Sequence, residues 1–150
     1  MAKNQDLPGC DYDNPESVVM AFITAMNAWE KESFRLHREA RGSADPASYH
    51  SMVLEEMQDI FAKYCTLKER PYGRHGSFQN PPEYDPQSEK IIGSGIDPEP
   101  GKQGRAFVET EREAILGGGV YKYVLYKKSG RWLIDNLKCE VDNNWVRHIL

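Results

Sequence analysis

The stretch from Gly117 to Val141 limits this chain's possible folds more than any other. Val120 to Lys127 is rich in aromatic and β-branched residues, which suit a pleated, half-buried surface. Trp132 to Val141 is a second run of the same kind. Between them Lys127-Lys-Ser-Gly130 supplies turn chemistry, with Gly130 able to take a positive φ at little cost. The pair reads as a β-hairpin. Strict alternation along the second strand sends Leu133, Asp135, Leu137, Cys139 and Val141 to the core face. Trp132, Ile134, Asn136, Lys138 and Glu140 then share the other face, which begins apolar and turns polar. Asp135 is the odd residue, a carboxylate on an otherwise apolar face.

The rest of the chain supplies the cover such a sheet needs. Residues 1–13 read as an irregular arm and 14–150 as a single domain, long enough to bury roughly 70% of its unfolded surface. Asn14-Pro-Glu16 is a helix start, with Asn as N-cap, Pro at the first helical position and an acid in the first turn. Val18, Val19, Phe22, Ile23, Met26 and Trp29 recur at helical spacing on one face. Glu30, Lys31, Glu32 and Arg35 fall mostly on the other, and the helix ends near Arg38 or Ala40. After a loop at Ser43-Ala-Asp-Pro-Ala47, a second helix is expected over Ser48–Cys65, with Met52, Val53, Met57, Ile60, Phe61 and Tyr64 as its apolar positions. From Thr66 to Gly104 the chain is dense in Pro, Gly and Tyr, and one or two edge strands are expected there, at Arg74–Gln79 and Glu89–Ser94. Arg105–Leu116 reads as a strong strand, Gly117-Gly-Gly119 as a turn or bulge, and Asn143–Leu150 as a short tail docking on the sheet. Helices first and strands after imply an α+β fold. The simplest version is cone-shaped, with two or three N-terminal helices packed in the concave face of a curved antiparallel sheet.

Composition excludes several function classes. The net charge of −4 argues against a non-specific nucleic-acid binder and favours a basic partner. No run approaches the ~20 apolar residues that span a bilayer, and the N-terminal residues lack the apolar core of a secretion signal, so a cytoplasmic protein is expected. Cys10, Cys65 and Cys139 are odd in number and far apart, which suits reduced thiols and matches no metal-ligand spacing. The glycine clusters lack the setting of a phosphate loop. Neither a cofactor nor a metal is expected.

Four groups of residues are specific enough to quote together. They are Asn14-Pro-Glu16 with Phe22, Met26 and Trp29-Glu30; Tyr64 to Arg74; Pro81 to Pro86; and the hairpin Tyr121 to Asp135, ending Gly130-Arg-Trp-Leu-Ile-Asp135. In order and spacing this set resembles the cone fold of nuclear transport factor 2, and within it the immunity proteins that accompany Rhs-type polymorphic toxins in bacteria. The resemblance covers Asn14 to Leu150. It implies a non-enzymatic role, in which the chain binds the toxic C-terminal domain of a cognate effector and neutralises it.

Candidate partner-binding residues come from the chain itself. Alternation places Glu109, Glu111 and Glu113 on one side of a strand, with Phe107 and Ile115 at its ends. Folding does not ask for three like charges there. The stripe is either a solvated, aggregation-resistant surface or a field complementary to a basic toxin surface. Asp85, Asp97 and Glu99 form, with Glu83 and Glu89, a second acidic group in the irregular segment. Tyr84, between Glu83 and Asp85, is the tyrosine expected to be exposed for binding. Two other readings stay open. A ligand-binding or isomerase-like protein of the same cone would need an open polar cavity holding Asp135 and a second titratable group such as His50, whereas a core filled by Phe22, Met26, Met57 and Phe61 would remove it. A homodimer through the sheet, using the Trp132 face of the hairpin, is the third.

Overall fold

The structure, a computed structural model, describes residues 10–40, 46–68, 82–96, 104–113, 118–148 and 150. The expected strand at Arg74–Gln79 lies outside them. Helix α1 (Pro15–Ala40) starts as its capping residues dictate. Asn14 Oδ1 accepts the Glu16 N–H at 3.0 Å, and the Asn14 carbonyl accepts that of Val18 at 3.1 Å. Pro15 sits where a missing N–H costs nothing. Helix α2 (Pro46–Tyr64) starts two residues earlier than expected, because Pro46 takes the first helical position instead of marking the break. Val53 and Met57 of α2 pack on α1, and Trp29 Nε1 donates to the Val53 carbonyl at 2.9 Å. Met52 departs from its expected place in the apolar set: Val53 takes the inward position and Met52 is 45% exposed.

Among the described residues five strands form one antiparallel sheet: β1 (Glu89–Ile96), β2 (Arg105–Arg112), β3 (Val120–Lys128), β4 (Arg131–Val141) and β5 (Asn144–His148). They pair in chain order, β1-β2-β3-β4-β5, as an uninterrupted meander. β2 stops at Arg112 and not at Leu116. Within the expected C-terminal tail, Asn144–His148 pairs as a fifth strand, and Leu150 beyond it is buried in the core. The reason is a second two-residue turn, in which Asp142 and Asn143 take φ of 52° and 66°. Positive φ at both central residues matches the twist of the flanking strands, and Asp and Asn tolerate it. Ser129 and Gly130 (φ 52° and 79°) do the same for the β3–β4 hairpin.

The two helices lie against one face of this sheet. Its inner side chains Ala106, Val108, Tyr123, Leu125, Trp132, Ile134 and Leu137 join Val18, Phe22, Ile23 and Met26 in one core. This corrects the alternation expected along β4. Val124 pairs with Asn136 but Leu125 pairs with Ile134, so Asp135 is the extra residue of a β-bulge. The bulge switches parity. Trp132 and Ile134 point inward before it, and Leu137 and Cys139 share the inner register positions after it. The run that begins apolar and turns polar is therefore two half-faces joined at Asp135. Buried against the core at 3% exposure, Trp132 offers no dimer surface.

Candidate binding surface and the buried polar network

Phe22, Met26 and Met57 fill the space between helices and sheet, with Phe61 edge-on to Phe22 at 5.6 Å and Tyr84 edge-on at 5.4 Å. Asp135 lies at the bulge, where its carboxylate ties down the chain leaving α2. It accepts from the Thr66 hydroxyl at 2.6 Å, Lys68 Nζ at 3.0 Å and Asn136 Nδ2 at 3.1 Å. The Thr66 N–H meanwhile donates to the Ile134 carbonyl at 2.8 Å. This arrangement anchors the β4 edge that β5 leaves uncovered. It is a structural use of a carboxylate, in contrast to the general-base position the ligand-binding reading requires.

A polar network sits on the inner face, apart from the residues expected to bind a partner. Glu89, fully buried, accepts from the Thr110 hydroxyl at 2.7 Å, the Tyr123 hydroxyl at 2.8 Å and Arg112 Nε at 3.0 Å. The Arg112 guanidinium lies 3.9 Å from the centroid of the Tyr121 ring and 5.1 Å from that of Tyr84, and reaches the Glu83 carboxylate at 3.5 Å. His148 Nε2 lies 3.5 Å from the same carboxylate. Burial opposes the Arg112 charge, but the Glu89 carboxylate 3.0 Å from it outweighs that cost and holds the guanidinium above its ordinary range. Burial, reinforced by Glu89, also pushes the Tyr123 hydroxyl well up, keeping it a neutral donor. Glu30, expected on the polar face of α1, is fully buried. Its two oxygens accept the N–H groups of Glu83 and Tyr84 at 2.9 and 3.0 Å. Position 30 follows Met26 by four residues, so helical spacing alone places it on the buried side. Strand alternation likewise places Arg112 inward, opposite to the glutamates.

The expected partner-binding residues do not form one cluster. Glu109 and Glu111 share the outer face of β2 with Phe107, as alternation requires. They are not a bare acidic field. Lys122 Nζ lies 3.9 Å from Glu109, and Lys90 is the register partner of Glu111. Glu113, exposed beyond the end of the strand, donates its N–H to the Ser88 carbonyl at 2.9 Å. Asp85 builds the 85–88 turn, its Oδ1 accepting the Gln87 N–H at 2.9 Å. Tyr84 is not exposed at all. Glu30 holds its N–H, Asn27 Nδ2 donates to its carbonyl at 2.8 Å, and its ring packs on Phe22, so it presents no binding surface. Asp97 and Glu99 lie outside the described residues. Among those residues no group of His, Cys, Asp or Glu is placed to hold a metal ion, and no helix is long and apolar enough to cross a membrane.

Two helices laid on one face of a five-stranded antiparallel meander, with the space between them filled, define an α+β domain of the nuclear-transport-factor-2 type. The family model described as NTF2 fold immunity protein matches residues 14–149, and the chain belongs to that family. It is 30% identical over 139 residues to immunity protein RhsIA of Dickeya dadantii (strain 3937), covering 90% of this chain and 95% of that relative. No solved structure matches.

Proposed function

We propose that this immunity protein protects the cell that makes it by binding the toxic C-terminal domain of a cognate Rhs-type effector in the cytoplasm and blocking it. The reading is carried by the likeness to RhsIA, which runs through 95% of that protein's length. Blocking is by contact and not by chemistry. The filled core and the engagement of Asp135 with Thr66 and Lys68 support that part. Contact is made by the outer sheet face that carries Glu109 and Glu111, with Glu113 and Asp85 at its margin. An interface of standard size, roughly 1,600 Å² in total, fits such a face.

Co-expression tests the proposal. Cells producing the toxin domain encoded beside this gene should survive only when this chain is also made. Death despite a folded, soluble immunity protein would overturn the pairing.

A further inference from the structure

The outer face carries like charges in direct cross-strand register. Lys122 of β3 is the register partner of Lys138 of β4, and Lys138 is that of Arg147 of β5. Three cations therefore stand side by side across three adjacent strands. Directly opposed residues on one face of an antiparallel pair hold their Cβ atoms about 5 Å apart, and like charges there destabilise the sheet. Glu109 compensates the β2 end of the row through Lys122. Lys138 and Arg147 continue the row to the edge strand, where Arg147 is exposed.

Aromatic rings flank the row. Lys122 Nζ lies 4.5 Å from the centroid of the Trp145 ring and 5.4 Å from that of Phe107. Such contacts hold the ammonium in place by attraction to the ring faces. Trp145 is only half-buried, on the same side of the sheet as Arg147. Trp and Arg are the residue types that most often anchor protein interfaces. A cationic row in a chain of net charge −4 is a local reversal of sign.

We propose that this row, Lys122–Lys138–Arg147 with Trp145, docks an acidic surface of the toxin domain. The proposal rests on the immunity reading and gives the partner a chemistry: carboxylates facing the row, with an apolar patch against Trp145. It reverses the polarity expected from the glutamate stripe, which cations on the same face answer. Glu109 and Glu140 border the row and would repel a continuous phosphate backbone, so a protein surface is the better match.

The test measures association of the purified toxin domain, encoded beside this gene, with four forms of the chain. These are wild type, Lys138→Glu/Arg147→Glu, Lys138→Gln/Arg147→Gln, and Glu55→Lys/Glu56→Lys on the exposed side of α2. Charge reversal should slow association by roughly tenfold or more and abolish its acceleration at low salt. The Gln pair should also bind more slowly, with the loss largest at low salt, whereas a purely structural role would show as lost folded signal without a salt-dependent change in association rate. The α2 variant should associate at the wild-type rate. If charge reversal leaves association with the toxin unchanged, the docking surface lies elsewhere and only this inference falls. It falls equally if wild type is a dimer that reversal merely splits, or if wild type takes up an oligonucleotide through these residues instead. If wild type neither binds the toxin domain nor protects against it, the immunity reading itself has failed.

Discussion

Replacing Arg112 by Met is the sharpest probe of how the fold is held together. The substitution keeps most of the side-chain volume between Tyr121 and Tyr84 but removes the charge facing Glu89. Glu89 is fully buried and would keep only hydroxyl donors, Thr110 and Tyr123, from its network. Leaving one member of a buried ion pair without its counter-charge costs about 3–5 kcal/mol. For a domain of this size each kcal/mol moves the melting midpoint by about 2–4 °C, so a fall of roughly 6–20 °C is expected. The companion double variant, Glu89→Gln with Arg112→Met, removes the orphaned charge while leaving an amide oxygen for the hydroxyls. It should recover about 1–3 kcal/mol relative to the sum of the two single variants. Thermal and urea unfolding at neutral pH read both quantities. A single variant within about 1 kcal/mol of wild type would refute the reasoning. So would strict additivity, which would mean that Arg112 works by packing alone.

Three further outcomes follow from the same geometry. Glu30→Ala removes the acceptor of the Glu83 and Tyr84 N–H groups, so hydrogen exchange at those two amides should accelerate at least about tenfold, and unchanged protection would contradict the anchoring role. Ser129→Asn replaces a residue that tolerates φ of 52° poorly with one that accepts it, and should raise the melting midpoint by about 2–4 °C; a decrease would show that the turn is not under that strain. Burial, with Cys10 and Tyr64 nearby, pushes the Tyr12 hydroxyl from 10.0 up to about 12. The folded state thus favours the protonated phenol: that contribution is intact below pH 10 and is lost as pH climbs through about 12, because the unfolded chain ionises first. Urea midpoints should fall across this window and fall less steeply in Tyr12→Phe; identical slopes would contradict it.

Much of the architecture is legible in the residues because local chemistry and tertiary packing agree there. Asn14-Pro15 caps α1 as such a pair should, and Val18 to Trp29 bury the face that their spacing defines. Where residue patterns mislead, a small departure from regularity is the cause. One extra residue at Asp135 reverses the parity of half a strand, and no composition signal marks where a bulge will fall. Asp142-Asn143 is a readable turn signal, but it lies between Val141 and a short polar run with little of the alternation that marks a strand. The binding surface is harder still. The buried set Glu30, Glu89, Arg112 and Tyr123 comes from four separate elements and the cationic row from three, so strand register assembles the row, and register with the packing of α1 on the sheet assembles the buried set. Tyr84 shows the same limit from the other side: its flanking acids suggest exposure, and contacts with distant Glu30 and Asn27 decide otherwise.

The most direct test of the account is isothermal titration of the purified chain with the toxin domain encoded beside its gene. Neutralisation by contact predicts saturable one-to-one binding with sub-micromolar affinity, together with loss of the toxin's activity at the same stoichiometry. A folded chain that rescues cells yet gives no binding signal at tens of micromolar would contradict it, because protection would then act through something other than the toxin itself.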